Sequence, residues 1–253
     1  MKSEVIDNFT NYVNLWETYN KDFNKEEYKN SNRHDMLKQF AELYLECVGG
    51  VNVLYDCVKD AIDKTNGVLQ ILYDNDIIQY IQGQTIARVI EGKLAESINL
   101  DNIEFEHGKE NRYDKDLECI NISKDVKHKF KDFVKNNDIK FDVDDTHSYG
   151  LEIKTSQGSG ITGNKSYAVD EGGKKSKNGF YILINYKAPI EIPESVDDQT
   201  SDSVKELVGV KFKIKSFDSY FGYIEQSDWV ASEHGNAASL QMKILKEKRL
   251  IKL

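Results

Sequence analysis

The stretch Tyr149-Gly-Leu-Glu-Ile-Lys-Thr-Ser156 lies between a polar Asp-Asp-Thr-His-Ser run and a glycine-rich segment, and its alternation marks a buried strand. On a strand, successive side chains face opposite sides, so Leu151 and Ile153 point into a core while Glu152 and Lys154 project together. An acid and an amine side by side on a buried strand can be a plain ion pair. The same pair suits phosphodiester hydrolysis, where a carboxylate holds a divalent metal and a lysine orients the attacking water or, as the neutral amine, deprotonates it. A bare Glu-x-Lys is common, so the assignment needs partners elsewhere in the chain.

Working outward, further strand-like runs occur near Ile103 to Glu106, Asp116 to Ile122, Ile139 to Val143, Phe180 to Tyr186, and Val210 to Ser216 running on towards Ile224. Between two of them, Ser123 to Asp138 reads as an amphipathic helix, with Ser123 as N-cap and Val126, Phe130, Phe133 and Val134 on one face. The first hundred residues carry helical periodicity. One apolar stripe runs from Val5 to Tyr19, and a second through Met36, Leu37, Phe40, Leu43, Tyr44 and Cys47 stops at Gly49-Gly50. Two more helices are expected around Val51 to Ile62 and Ile77 to Ile98, with Gly67 and Asp74-Asn75-Asp76 at their edges. Pro189 to Glu206, with both prolines and a run of acids, is the expected exposed excursion. The prediction is one α/β domain over 1–253, with a mixed central β-sheet flanked by helices, a mainly helical part over 1–100 and a catalytic core over 101–253.

Composition excludes several classes. The formal net charge of −9 over 253 residues rules out a histone-like polycation. The 39% hydrophobic content is too high for a disordered chain, and no apolar run approaches the ~20 residues of a membrane span. The expectation is a cytoplasmic protein of bacterial type that makes no membrane contact. Cys47, Cys57 and Cys119 are odd in number and stand at no metal-ligand spacing, so reduced, buried thiols are expected. Trp229 reads as core and His234 as structural, and no His or Cys pattern suits zinc.

Upstream, Asp116 opens an apolar run at a strand start. An Asp there, followed by a neighbouring strand with Glu-x-Lys, is the layout of the PD-(D/E)xK nucleases, in which the Asp and the Glu share Mg²⁺. Asp145, seven residues before Glu152, competes for the role, and spacing alone does not choose. Glu91, on the helix through Gly83 to Glu91, reads either as a fourth acid beside the metals or as a solvated surface residue.

Five ordered blocks carry a more specific resemblance: Asp-Lys-Asp-Leu (114–117), Leu-Glu-Ile-Lys-Thr-Ser (151–156), Gly-Asn-Lys-Ser-Tyr-Ala (163–168), Lys-Lys-Ser-Lys-Asn-Gly-Phe-Tyr (174–181) and Phe-Gly-Tyr-Ile-Glu-Gln-Ser-Asp-Trp (221–229). Over roughly residues 80 to 250 the chain resembles the ScaI-type restriction endonucleases. The resemblance implies type II cleavage of double-stranded DNA to 5′-phosphate ends, with Mg²⁺ as cofactor and Mn²⁺ as a substitute. It implies Asp116, Glu152 and Lys154 as catalytic residues, and Asp116, Glu152, the Ile153 carbonyl and Glu91 around the metal. A homodimer reading a palindrome is expected, and a cognate DNA methyltransferase is the functional counterpart rather than a physical partner. The glycine-rich loop and the lysines after it become DNA contacts: Ser156, Gln157, Ser159, Thr162, Asn164, Lys165, Ser166, Tyr167, Lys174, Lys175 and Lys177. Departures are the helix inserted between the Asp116 and Glu152 strands, Lys165 in place of the family's Arg, and Tyr223 in place of Trp. A repair or resolvase-type nuclease, and a non-catalytic DNA-binding module, are the rival readings.

Overall fold

The computed structural model describes residues 25–77, 83–108, 115–164, 178–193, 210–232 and 237–253. The expected helix from Val5 to Tyr19, most of the excursion after Pro193, and His234 lie outside these residues. Six helices are described: α1 (Lys25–Lys29), α2 (Arg33–Cys47), α3 (Val51–Asp74), α4 (Gly83–Ser97), α5 (Lys124–Asn137) and α6 (Met242–Lys248). The strands are β1 (Ile103–His107), β2 (Leu117–Ile122), β3 (Leu151–Ser156), β4 (Thr162–Asn164), β5 (Gly179–Tyr186), β6 (Ile190–Pro193), β7 (Val210–Lys213), β8 (Phe217–Ile224), β9 (Trp229–Ala231), β10 (Ala237–Leu240) and β11 (Ile251–Lys252).

A six-stranded mixed sheet in the order β1-β2-β3-β5-β8-β11 forms the centre. Only β3 and β5 run parallel, and the other neighbours are antiparallel. Every residue of β5 is buried, as a strand covered on both faces requires. One face carries the larger core, where Leu37, Phe40 and Tyr44 of α2 meet Phe130 of α5 and Phe180, Ile182 and Phe221 of the sheet. The other face, with Tyr181 and Leu183, is covered by α6 and by a second sheet in the order β4-β10-β9, which places Trp229 in the core. This is the mixed α/β architecture expected, with a helical N-terminal part. The three cysteines are free and buried, and among the described residues no helix is long and apolar enough to cross a membrane.

Local chemistry explains most boundaries. Ser123 accepts a hydrogen bond from the Val126 N–H at 3.4 Å and caps α5 as expected. After Cys47, Gly49 and Gly50 take φ of 98° and 96°, which reverse the chain at little steric cost.

Three expectations need correction. Gly67 does not end a helix: α3 runs through it to Asp74, because the buried stripe continues from Ile62 through Thr65 to Leu69 and outweighs the ~1 kcal/mol helix cost of one glycine. On both sides of Gly67 the helix is also used, since Asn66 and Gln70 side-chain oxygens accept from the Ile214 and Phe212 N–H groups. Ile139 to Val143 forms no strand. Its alternation arises because Ile139, Phe141 and Val143 lean onto the aromatic core, while Asp142 Oδ1 turns the chain by accepting from the N–H groups of Asp144 and Asp145. Val210 to Ile224 is two strands in two sheets, with β7 paired to β6 and β8 to β5.

Candidate active site

Strands β2 and β3 are registered at a single pair, Leu117 with Leu151, and then run apart. The β1–β2 hairpin continues to the Gly108 N–H, which donates to the Asp116 carbonyl at 3.0 Å. Just where β2 would extend alongside β3, the Asp116 side chain replaces the missing ladder, its Oδ2 accepting the Ile153 N–H at 2.7 Å. The Asp116 carboxylate thus lies against β3 at the point where the two strands stop pairing.

Glu152 and Lys154 project from one face of β3 while Leu151 and Ile153 enter the larger core, as alternation requires. The Lys154 ammonium lies 2.7 Å from Glu152 Oε1 and 3.7 Å from Asp116 Oδ2, and donates to the Ile153 carbonyl at 3.1 Å. Two carboxylates and one carbonyl therefore surround a single positive centre. Among the described residues no three His, Cys, Asp or Glu side chains converge closely enough to hold a metal by themselves. The donor set of two carboxylates and a carbonyl is nonetheless all hard oxygen, the chemistry that fits Mg²⁺ and not a soft metal.

Electrostatics follow from this crowding. Burial raises the pKa of Asp116, Lys154 opposes the rise, and Glu152 adds to it. Glu91, on α4, is pushed up to about 7 by burial and then by the nearby Asp116 charge. It is half-buried, and the charges that act on it are those of Asp116, Lys154, Glu152 and Arg88. Asp145 does not join the cluster. It is exposed, and its Oδ1 accepts the His147 N–H at 3.0 Å to cap the short 3₁₀ turn Thr146–Tyr149.

Of the expected DNA contacts, Gln157, Ser159 and Thr162 are exposed beyond the end of β3 and on β4, and Ser156 is half-buried. Ser156 Oγ accepts from the Gly158 N–H at 3.2 Å. Asn164 ends β4, and Lys165, Ser166, Tyr167, Lys174, Lys175 and Lys177 lie outside the described residues. Asp114 does too, while Glu118 stands 3.8 Å from His147 Nδ1.

Sequence reasoning missed Lys115. It is only 6% exposed, its ammonium donates to the Asn178 carbonyl at 3.4 Å and lies 5.3 Å from the centre of the Tyr181 ring. Its charge also lowers the pKa of Asp116, though less than burial and Lys154 move it. The one available signal was a lysine directly before a candidate metal-binding Asp at a strand start.

The ScaI restriction endonuclease family matches residues 110–253. Within the chain, 99 residues are 31% identical to the type II restriction enzyme ScaI of Streptomyces caespitosus, covering 37% of this chain and 36% of that enzyme. The aligned part thus spans about a third of that relative's length. No solved structure matches. The family match takes in more than half of the chain, including β2, β3 and the Asp116–Glu152–Lys154 cluster, so the protein belongs to the ScaI restriction endonuclease family.

Proposed function

We propose that this chain is a type II restriction endonuclease that hydrolyses double-stranded DNA at a specific sequence and leaves 5′-phosphate and 3′-hydroxyl ends. The observation that carries the reading is the Lys154 ammonium shared among Glu152, Ile153 and Asp116 where β2 and β3 stop pairing. Asp116, Glu152 and the Ile153 carbonyl would hold Mg²⁺, or Mn²⁺ in its place, and Glu91 would add a third acid. Bound there, the metal supplies Lewis-acid stabilisation of the charge that develops on the phosphate.

The chain's own groups account for the rest. Asp116 is anchored by the Ile153 N–H, which fixes its carboxylate against β3 before substrate arrives. Lys154 offers a donor to the attacking water and balances the phosphate charge as the bond to the leaving 3′ oxygen breaks. The loop from Ser156 to Tyr167 and the lysines at 174, 175 and 177 are the proposed DNA contacts. A palindromic site is read most simply by a two-fold homodimer, with a methyltransferase as the functional counterpart that protects host DNA.

Digestion of a plasmid of known sequence with Mg²⁺, followed by sequencing of the ends, tests the reading. Discrete fragments with one end sequence are expected. Nicks or smears point instead to a repair-type nuclease, and intact plasmid to a non-catalytic module. Lys154→Ala should abolish cleavage while retaining DNA binding in Ca²⁺. Asp116→Ala should lower the cleavage rate by orders of magnitude and Asp145→Ala only slightly, and equal losses would remove the assignment of Asp116.

A further inference from the structure

Strands β3 and β5 pair in parallel, Lys154 opposite Leu183 and Ser156 opposite Asn185, so Lys154, Ser156 and Asn185 share one face of the sheet. Across β8, Tyr220 stands opposite Leu183 on the same face. Helix α6 crosses above and brings Lys246 down to it. The Lys246 ammonium donates to Asn185 Oδ1 at 3.1 Å and lies 4.4 Å from the centre of the Tyr220 ring. Among the described residues no carboxylate pairs with it, which stands out in a chain of net charge −9.

Asn185 adds a second donor. It is 8% exposed, and because a lysine can only donate, the amide turns its oxygen to Lys246 and its Nδ2 away. That Nδ2 is buried without an acceptor. An unneutralised ammonium beside an unsatisfied amide N–H is a site for an anion with several acceptor oxygens. Asn185 lies two residues, about 7 Å, beyond the strand position facing Lys154. At an axial rise of ~3.4 Å per phosphate on one DNA strand, that offset is about two phosphate steps, so a strand whose scissile phosphate lies at Lys154 would bring the second phosphate along towards Lys246.

We propose that Lys246, held by Asn185, is a phosphate contact for the strand that carries the scissile bond. The inference rests on the nuclease reading above, and salt dependence separates it from a packing role. Each phosphate neutralised on duplex DNA contributes ~0.9 to the slope of log affinity against log salt. Binding of the full chain to sheared mixed-sequence duplex DNA is measured over a salt series, with thermal unfolding confirming that each variant is folded. Lys246→Ala should lower the slope by about 0.9, whereas Lys246→Arg should keep it. Asn185→Asp leaves the lysine in place but pairs its charge, and should lower the slope as Lys246→Ala does. If Asn185→Asp and any folded Lys246→Ala keep the parent slope, the contact does not exist. If the parent chain binds no duplex DNA, the nuclease reading falls together with this one.

Discussion

At the scale of single residues, the site depends on where backbone and side chain exchange roles. Glu152 and Lys154 were legible because strand alternation is local. Asp116 and Asp145 could not be separated by spacing, since the choice rests on where β2 stops pairing with β3 and on which carboxylate serves as a turn cap. Lys115 was invisible because its path depends on glycines distant in sequence. A Cβ on Gly150 would lie 2.9 Å from the Leu117 carbonyl oxygen, 3.0 Å from Lys115 Cγ and 3.2 Å from the His147 carbonyl oxygen. A Cβ on Gly179 would meet chiefly the Lys115 ammonium, at 2.5 Å, the far end of a flexible side chain. Gly150→Ala must therefore move backbone and should cost about 1–3 kcal/mol in chemical denaturation. Gly179→Ala should cost less stability but displace the Lys115 ammonium, whose charge acts on Asp116, so its loss should appear in cleavage rate. Equal stability costs for the two would refute this division.

At the scale of elements, one buried network fastens α1 and α2 to the far end of the sheet. Asp228, fully buried, accepts from Tyr28 OH at 2.5 Å and from the Glu225 N–H at 2.6 Å, and pairs with Arg249 at 2.5 Å. Arg249 donates in turn to His34 Nδ1 at 3.2 Å through Nε, while His34 Nε2 meets the Tyr28 carbonyl at 2.7 Å. Arg33 forms a two-pronged bond to Glu225. The Asp-Trp pair at 228–229 was recognisable as a motif, and Trp229 as core. That its Asp holds an arginine from beyond α6 and a tyrosine from α1 was not, because those partners are 21 and 200 residues away. Removing one member of a buried pair leaves an uncompensated charge, so Asp228→Asn should destabilise by roughly 3–5 kcal/mol. His34 adds a pH dependence. Burial lowers its pKa first and the Arg249 charge second, against smaller opposing effects of the Tyr28 carbonyl, Asp228 and Asp35. The unfolded chain then takes up the proton before the folded one, so this contribution is full above about pH 6.5 and falls as pH drops below it. Glu91 and Asp116, whose pKa values are raised on folding, act in the opposite direction. The diagnostic quantity is therefore a difference: between pH 7 and pH 5, the parent should lose more stability in urea denaturation than His34→Gln. Equal losses would show that His34 does not titrate in this way.

At the scale of the whole molecule, the family match and the core do not share a boundary. The match begins at residue 110, yet Phe40 of α2 packs against Phe180, Tyr223, Phe130 and Phe141 with ring centroids 5.1–5.3 Å apart. Tyr44 lies 4.2 Å from Phe180 and donates to the Tyr149 carbonyl at 3.0 Å, directly before the strand that carries Glu152 and Lys154. The helical periodicity of α2 was legible in the sequence, but its docking partners were not, because they depend on the order of strands in the sheet. The glycine-rich loop and its lysines belong to the matched part, whereas Glu91 lies before it, so the acids of the proposed site straddle the boundary. The physical expectation is one domain in which the first helices form half of the main core. Residues 110–253 expressed alone would expose the face of the sheet that carries Phe180, Ile182 and Phe221. Truncating one large aromatic side chain in such a core costs about 3–5 kcal/mol. Against a total stability of ~5–15 kcal/mol, removing Phe40 and Tyr44 together is enough to prevent folding. The fragment should show no cooperative thermal transition by circular dichroism and no cleavage, while the single substitution Phe40→Leu in the full chain should lower the melting temperature but leave the transition cooperative. A fragment that melts cooperatively and still cuts DNA would instead make the helical part a separable domain.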